Sequence, residues 1–427
     1  MTFTEESRII RKVQRATKLS RYHNKVKFSY GGVMKQNLHT PEGVRDIYGT
    51  ECERKLYLEQ KLFSVLTGYG YHPIETPSFE FFEIFGTEVG TTPSKDLYKF
   101  FDREGNTLVL RPDITPSIAR SAAKYYMDEE MPLHFCYKGN TFINHHSLRG
   151  RMKECTQLGA ELMGDNSVDA DAEMLSMIVD CLHAAGLKEF QISVGHASIF
   201  KGLVEAAGFS EEETAELHGL ISNKNFYGVE EFVGSRNLPE DLRKCFGILR
   251  CMYTSGEELE QFKQAAQKYD TVHTALQRLE QLQQMLLFYG IDDYVSFEPG
   301  MVSDYQYYTG ILLSGYTFGT GEPIVKGGRY DELLPMFGKN AAAIGFVVVI
   351  DQLLEAITRQ NIEVPITHNT QLIVYAASHH EDAVILARKA RSTGGRAELI
   401  SFDETKGRDA YESYAAKNQI ARITWLI

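Results

Sequence analysis

Hydrophobic residues recur at helical spacing between residues 47 and 70, and a different pattern follows directly. The apolar positions of this amphipathic stretch are Tyr57, Leu58, Leu62, Phe63, Val65 and Leu66. Gly68 and Gly70 end the predicted helix, and an extended segment runs on to Pro77. Two alternating runs, YKFF and TLVL, then flank a polar turn and predict a β-hairpin, and a helix starts near Pro116.

Strand patterns dominate much of the chain that follows. LHFCYKGNTFI and MKECTQLGAELMG predict two strands joined by a polar loop, ahead of a helix over 169–186 and a buried strand FQISVG. Residues 198–288 are rich in helix formers and predict an inserted helical module. Strands return in YVSFEPG, QYYTGILLSGYTF, PIVKGGRYDELL and AAAIGFVVVI. Strands and helices without regular alternation predict an α+β fold on a mostly antiparallel sheet over residues 34–360.

The C-terminal part has a different organisation. After the linker NIEVPITHN, residues 369–427 alternate strand and helix patterns, which predicts a small α/β unit of the βαβαβ type with a parallel sheet. A unit of roughly 60 residues is small for an independent core, so we expect it to rest on the remainder of the chain.

The first 33 residues form a basic segment, with eight lysine or arginine residues against two glutamates. Three interpretations remain open for it. A basic arm for nucleic acid is one, a disordered tail is the favoured one, and a translated leader preceding a true start at Met34 is the third.

Composition narrows the class of protein. The hydrophobic content of 43% and charged content of 24% are ordinary for globular proteins, and the net charge of −12 argues against a general nucleic-acid binder. No apolar run is long enough to span a bilayer, and none resembles a signal peptide. Six scattered cysteines predict reduced thiols in a cytoplasmic protein. His145 and His146 have no partners at ligand spacing, so neither a metal nor a cofactor is predicted.

Polar residues occupy positions where the predicted strands should be buried. They are Asp113 and Thr115 in LRPDITP, Gln157 and Glu161 on one face of TQLGAEL, and Tyr307 and Tyr308 in MVSDYQYYTG. The glycine pair of GGRYDELL permits close approach of the backbone to a ligand. Taken singly, each is more often a satisfied structural hydrogen bond. Together they predict a pocket for a small amino acid with a basic ring, because carboxylates accept from ammonium and a carboxylate with a phenol holds the two nitrogens of an imidazole.

These stretches resemble the histidyl subclass of class II aminoacyl-tRNA synthetases over residues 38–360. The motifs that carry the resemblance are TPEGVRDI, LRPDITP, TQLGAELMG, YYTG, GGRYDELL and AIGF. The resemblance implies an antiparallel sheet flanked by helices and a homodimer formed around residues 47–77. It also implies that Asp113, Thr115 and Gln157 receive an α-amino group, that Glu161 and Tyr307 receive an imidazole, and that Tyr308 lines the pocket.

The chain departs from that family where the family binds ATP with arginines. By the resemblance, Lys138, Ser303 and Gln352 stand where the family has arginine, whereas Asn140 stands for a glutamate and Gln306 for an aspartate. Charge-assisted hydrogen bonds contribute roughly 1.5–3 kcal/mol each. Losing three of them costs on the order of 5–9 kcal/mol, which is incompatible with an efficient synthetase. By this resemblance the synthetase's catalytic arginines are replaced, and the chain is not expected to be an enzyme.

The same departures resemble the regulatory subunits of ATP phosphoribosyltransferase in histidine biosynthesis. That resemblance implies a short-form catalytic subunit as partner, histidine as effector, and a homodimer within a hetero-octamer, with no nucleic acid or membrane. Arg151 is the candidate to receive the histidine carboxylate in place of the residue lost at Ser303. Two alternatives stay open, namely a divergent histidine–tRNA ligase and an amino-acid-binding paralogue that serves another enzyme.

Overall fold

The protein is described by a computed structural model over residues 38–86, 92–145, 151–250, 256–303, 307–366 and 370–427. The basic segment over residues 1–33, Met34 and Gln306 lie outside these ranges, so the predictions made for them remain predictions.

A large sheet of eight strands forms the centre of the molecule. Its strands are β1 (His72–Pro73), β5 (Leu133–Phe142), β6 (Glu154–Met163), β7 (Phe190–His196), β8 (Val295–Phe297), β9 (Ile311–Thr317), β10 (Val325–Arg329) and β11 (Ala343–Val349). The spatial order is β1-β5-β6-β11-β10-β9-β7-β8. Only the two outermost pairs are parallel, and every inner pair is antiparallel. The predicted α+β class with a mostly antiparallel sheet is therefore confirmed.

Three helices cover one face of this sheet and form the main core with it. They are α1 (Gly49–Gly68), α3 (Val168–Ala184) and α11 (Ile350–Arg359). The helical spacing seen in the sequence places Leu58, Leu62 and Leu66 of α1 on one buried side. Gly70 follows with a φ of 87°, a conformation that glycine adopts without strain and that turns the chain toward β1.

The opposite face of the sheet carries α2 (Thr115–Tyr125) and the short helix α10 (Leu333–Met336). Strand alternation separates the two faces along β6. Leu158, Ala160 and Leu162 belong to the main core on the helical side. The intervening positions, which include Gln157 and Glu161, line a cavity on the other side.

The predicted hairpin after residue 77 belongs to a second, small sheet. Its strands β2 (Phe79–Phe81), β3 (Lys99–Phe101) and β4 (Thr107–Leu110) are antiparallel in the order β2-β4-β3. Glu80 of this sheet pairs with Arg120 of α2 at 2.6 Å, which fixes the sheet beside the middle of that helix.

Between β7 and β8 the described residues form six helices, which correspond to the predicted insertion. They are α4 (Ala197–Ala207), α5 (Glu211–Ser222), α6 (Phe226–Gly234), α7 (Glu240–Ile248), α8 (Gly256–Ala265) and α9 (Asp270–Tyr289). Ser210 and Glu213 cap the first turn of α5 reciprocally. Buried residues of these helices, among them Leu217 and Leu276, continue the main core.

The C-terminal residues form a separate parallel sheet, as the βαβαβ pattern predicts. Its strands are β12 (Thr370–Tyr375), β13 (Arg396–Ser401) and β14 (Arg422–Leu426), with β12 in the centre, and its helices are α12 (His380–Ser392) and α13 (Gly407–Lys417). Leu372 and Val374 pack with α13, whereas Ile373 packs with α12, so alternate residues of β12 are covered on both faces. An ion pair of 3.2 Å joins Arg396 to Glu53 of α1.

Within the described ranges, no helix is both long and apolar enough to cross a bilayer. The same residues contain no group of three His, Cys, Asp or Glu side chains arranged to hold a metal ion.

A buried ion cluster joins the main core to the insertion. The Asp171 carboxylate on α3 accepts from Arg329 at the end of β10, with Nη2 to Oδ1 at 2.6 Å, and from Arg278 on α9, with Nε to Oδ2 at 2.7 Å. The Asp171 side chain is fully buried. One carboxylate therefore holds α3, β10 and α9 in fixed relation.

We expect Asp171→Asn to destabilise the fold strongly. The substitution removes the fully buried partner of the Arg329 guanidinium and leaves it only the longer, partly exposed pair with Asp331 at 3.3 Å, and breaking a buried pair of this kind costs about 3–5 kcal/mol. Urea unfolding followed by circular dichroism measures the loss. Glu355→Gln, which breaks an exposed i,i+4 pair with Arg359, is the matched control and should change stability by less than about 1 kcal/mol. Equal effects of the two substitutions would contradict the prediction.

Candidate functional site

A cavity of about 520 Å³ opens on the side of the large sheet that carries α2. All seven residues predicted for the site line it: Asp113, Thr115, Arg151, Gln157, Glu161, Tyr307 and Tyr308. They come from the start of α2, the segment before β6, β6 itself and the segment before β9. Tertiary structure thus brings residues that are up to 195 positions apart to one volume of a size that accommodates a small ligand.

Glu161 lies at the closed end of the cavity and is almost completely buried. Its Oε1 accepts from the hydroxyl groups of Thr115 at 2.7 Å and Tyr137 at 3.2 Å, and its Oε2 accepts from the Tyr330 hydroxyl. A side chain at Gly345, the residue opposite Glu161 on β11, would overlap this carboxylate. The glycine of the AIGF motif therefore makes the space in which the carboxylate sits.

The environment of Glu161 favours its protonated form. Burial raises the pKa of the Glu161 carboxyl to about 8, and the nearby Asp113 adds to the increase, although the three hydroxyl donors oppose it. No ammonium or guanidinium group among the described residues donates to this carboxylate. A cationic ligand group would supply the missing positive charge.

Asp113 lies immediately before α2, and its hydrogen bonds fix its orientation. Its Oδ1 accepts from the backbone N–H groups of Ile114 at 2.7 Å and Thr115 at 3.3 Å, and its Oδ2 accepts from the Tyr307 hydroxyl at 3.2 Å. Burial raises the pKa of Asp113 as well, against the effect of these donors. The cavity consequently contains two oriented carboxyl groups that are poorly solvated.

Tyrosine rings form the walls between these two carboxyl groups. The ring centroids of Tyr307 and Tyr308 are 4.8 Å apart, and Tyr307 meets Tyr330 edge to face at 5.8 Å. The backbone oxygen of Tyr308 accepts from Lys201 of α4 at 3.1 Å, so the insertion helps to position this wall. Aromatic faces and carboxylates together suit a planar ring with N–H groups at its edge.

Gln157 and Arg151 lie nearer to the mouth of the cavity. Gln157 Oε1 is buried and has no hydrogen-bond partner within the described residues. The Arg151 guanidinium pairs with Glu322 at 2.5 Å, and both side chains are largely exposed. Arg151 is therefore already neutralised in the ligand-free protein, which weakens its candidacy as the receptor of a carboxylate.

The sequence analysis missed Tyr137 and Tyr330, which donate to Glu161. Tyr137 projects from β5 opposite Gly159, whose missing side chain leaves room for the phenol. Tyr330 lies two residues after the glycine pair of GGRYD, a motif in which only the glycines were considered as site residues. The sequence signal that could have identified Tyr137 is a tyrosine on one predicted strand that lies opposite a glycine on the neighbouring strand.

The glycine pair itself has a different role from the predicted one. A side chain at Gly327 would collide with Phe346, and one at Gly328 would lie 2.8 Å from the Tyr308 ring. The pair thus allows β10 to pack closely against β11 and Tyr308, and only Gly327 also lines the cavity. Close packing against other residues of the chain, rather than contact with a ligand, is the main reason that these two positions must be glycine.

The structure corrects the match of two positions to the family's ATP-binding residues. Lys138 projects from β5 to the opposite face of the sheet, where its Nζ lies 3.0 Å from Glu59 of α1. Asn140 donates to Glu154 at 2.7 Å. Neither residue lines the cavity, because alternate positions of a strand point to opposite faces. The positions that do line it further along this segment are Thr141, Ile143 and His145.

Gln352 and Ser303, the other two described positions at which the chain differs from the synthetase family, lie in different places. Gln352 at the start of α11 lines the cavity, as expected for a position near a bound ligand. Ser303 does not, and its backbone oxygen accepts from His218 of the insertion at 3.1 Å. The cavity is not free of cations, since Lys153 and Lys326 line it together with Arg151.

Comparison with known proteins agrees with this fold. The family model for histidyl-tRNA synthetase matches residues 43–353. An ATP phosphoribosyltransferase regulatory subunit of Ruminiclostridium cellulolyticum is 36% identical over 91% of this chain and 92% of its own length. One from Acetivibrio thermocellus is 38% identical over 84% and 85%, respectively.

A similar solved structure carries a related description. The crystal structure described as an ATP phosphoribosyltransferase regulatory subunit/histidyl-tRNA synthetase from Bacillus halodurans covers 92% of this chain and 98% of its own, with a TM-score of 0.81 and 31% identity. Fold and family model together define a histidyl-tRNA synthetase-like protein. The chain belongs to the family of ATP phosphoribosyltransferase regulatory subunits.

The raised pKa of Glu161 predicts a specific pH dependence of stability. A pKa near 8 in the folded protein exceeds that of an unfolded glutamate, so the folded state holds an extra proton between about pH 4.5 and 8. The stabilisation from this group is therefore present at low pH and is lost as the pH rises toward 8. We expect the wild type to lose roughly 2–4 kcal/mol relative to Glu161→Gln between pH 5 and pH 8. Urea unfolding at intervals of one pH unit tests this, and parallel profiles would refute it.

Proposed function

We propose that this protein is a non-catalytic regulatory subunit of ATP phosphoribosyltransferase that binds histidine in the cavity described above. Membership of the regulatory-subunit family supports the first part. The observation that carries the second part is the closed end of the cavity, where two buried carboxyl groups, Asp113 and Glu161, have only backbone N–H and hydroxyl donors among the residues that the structure describes.

The arrangement of these groups favours an amino acid with a nitrogen-containing ring. Asp113 and Gln157 Oε1, which has no hydrogen-bond partner in the described part of the chain, supply acceptors suited to an α-ammonium group. Glu161, surrounded by tyrosine hydroxyls, supplies an acceptor suited to an imidazole N–H. Amino acids with apolar side chains would leave Glu161 without a ligand partner, and such a mismatch weakens binding strongly.

A divergent histidine–tRNA ligase is the alternative that the fold permits. The cavity wall argues against it, because the described residues at the positions near the ligand are Ile143, His145 and Gln352 rather than arginines. Lys153 and Lys326 do not replace the planar two-point grip of arginine on phosphate. Histidine-dependent exchange of pyrophosphate into ATP would establish the ligase instead.

An amino-acid-binding paralogue serving another enzyme is the third interpretation. It predicts that an amino acid other than histidine produces the largest thermal stabilisation in a screen of the twenty standard amino acids. The histidine sensor predicts the largest shift for histidine.

In this proposal the partner is the short-form catalytic subunit, in a pathway whose end product is histidine. Homodimers of the present chain, formed around residues 47–77, would assemble with it into a hetero-octamer. The coupling between the cavity and the partner must be reciprocal, because both effects share one free energy. A regulator of this kind activates the catalytic subunit in one conformational state and withdraws the activation when histidine binds.

Histidine binding should depend on the Glu161 carboxylate. We expect Glu161→Gln to weaken histidine binding about 10- to 100-fold, since it removes one charge-assisted hydrogen bond. Isothermal titration calorimetry at pH 8 measures the effect. Glu355→Gln, whose carboxylate is exposed on α11, should bind histidine as the wild type does. Undiminished binding by the Glu161 variant would place the ligand elsewhere.

The same variant separates activation from inhibition in the complex. When Glu161→Gln is co-purified with the short-form catalytic subunit, phosphoribosyl transfer without histidine should match that of the wild-type complex. The histidine concentration that gives half-maximal inhibition should rise at least tenfold, because only the effector site is changed. Failure of the wild-type chain to co-purify with that subunit, or to alter its activity, would overturn the regulatory assignment.

A further inference from the structure

A bound amino acid presents a carboxylate as well as an ammonium group, and the site described so far supplies acceptors rather than donors. The carboxylate requires an N–H or O–H group at the wall of the cavity. The nitrogen-bearing side chains on the outer part of that wall are Arg151, Lys153, Lys326 and His145, with Gln157 and Gln352 beside them.

The three cationic side chains are poorly suited to this task. Arg151 is engaged with Glu322 at 2.5 Å and is more than half exposed, so a ligand would compete with an existing ion pair and with water. Lys326 is exposed on β10, and Lys153 is partly exposed. A solvated ammonium group on a flexible side chain orients a carboxylate weakly.

His145 has the properties that the cations lack. It follows Thr141 and Ile143 at alternate positions of one extended segment, and all three line the cavity. The backbone N–H of Ile143 donates to Lys153 O at 2.9 Å, which continues the pairing of β5 with β6 toward His145. The segment that carries His145 is therefore held by the sheet.

The Nε2 atom of His145 is buried and has no hydrogen-bond partner among the described residues. Gln157 Oε1, on the neighbouring strand β6, is in the same condition. Such atoms are rare in native proteins, since each costs about 1–3 kcal/mol. Two of them occur on the wall of one cavity, and one is a ring nitrogen whereas the other is a carbonyl oxygen. A donor and an acceptor in this arrangement complement the carboxylate and ammonium groups of an α-amino acid.

We propose that His145 is the residue that receives the carboxylate of the bound amino acid, while Gln157 Oε1 accepts from its ammonium group. The assignment rests on the proposed amino-acid site. His145 donates from Nε2, in the tautomer that carries a proton on that atom or as the imidazolium. Binding then satisfies both buried atoms at once. A site of this kind selects ligands that have a free α-carboxylate, and amines that lack this group bind less tightly.

The experiment compares two ligands that differ only in the carboxylate. L-Histidine and histamine are titrated calorimetrically into the full-length wild type, His145→Phe, His145→Gln and Arg151→Gln. We expect His145→Phe to weaken L-histidine binding about 10- to 100-fold and to change histamine binding less than about threefold. His145→Gln retains an N–H donor and should bind L-histidine with intermediate affinity. Arg151→Gln should resemble the wild type.

Several outcomes would overturn the assignment. If His145→Phe binds L-histidine like the wild type, or loses both ligands equally while circular dichroism shows an intact fold, His145 is excluded as the carboxylate receptor. A selective loss of L-histidine in Arg151→Gln would transfer the role to Arg151. If the wild type binds another amino acid instead of histidine, the histidine sensor fails, and the same comparison with the decarboxylated form of that amino acid decides the role of His145 independently.

Discussion

A buried carboxylate between two guanidinium groups ties together the parts of the molecule on which the cavity depends. Asp171 of α3 binds Arg329 at the end of β10 and Arg278 of the insertion helix α9. Buried charges of this kind are stable only as a set, because the loss of one partner leaves another uncompensated. Tyr330, the residue after Arg329, donates to Glu161 in the cavity. The cluster therefore fixes the strand end that delivers this phenol, and it connects the same strand end to the insertion.

The cavity holds its two carboxyl groups in fixed orientations, but no described residue supplies them with a positively charged donor. Its carboxyl groups are held by hydroxyl and backbone donors on four elements, and the glycine at position 345 leaves room for one of them. Burial raises the pKa of both groups, and a cationic ligand group beside them would favour their ionised forms. Ligand binding, proton release and the orientation of the tyrosines are consequently linked. In a synthetase a comparable pocket positions an amino acid for reaction, whereas in a regulatory subunit the binding free energy is available to shift a conformational equilibrium.

Strand alternation explains both the success and the main error of prediction along β5 and β6. The spacing of Gln157 and Glu161 is even, and both line the cavity. The same rule sends Lys138 to the helical side, where it meets Glu59, although motif matching had assigned it to nucleotide binding. Motif matching also left out Tyr137 and Tyr330, because their contribution depends on which strands are neighbours. Arg151 lines the cavity as expected, but its pairing with Glu322 depends on a residue 171 positions away.

The amino-acid sequence by itself determined the order and kind of the elements, the α+β class and the family, because hydrophobic periodicity and short motifs are local properties of the chain. It also identified seven residues of the cavity wall. Tertiary structure alone decided which strands adjoin β6, which hydroxyls reach Glu161 and which polar atoms, such as His145 Nε2 and Gln157 Oε1, are buried without partners within the described ranges. The physical reason is that pairing register and side-chain burial arise between segments distant in the chain, and no local pattern records them.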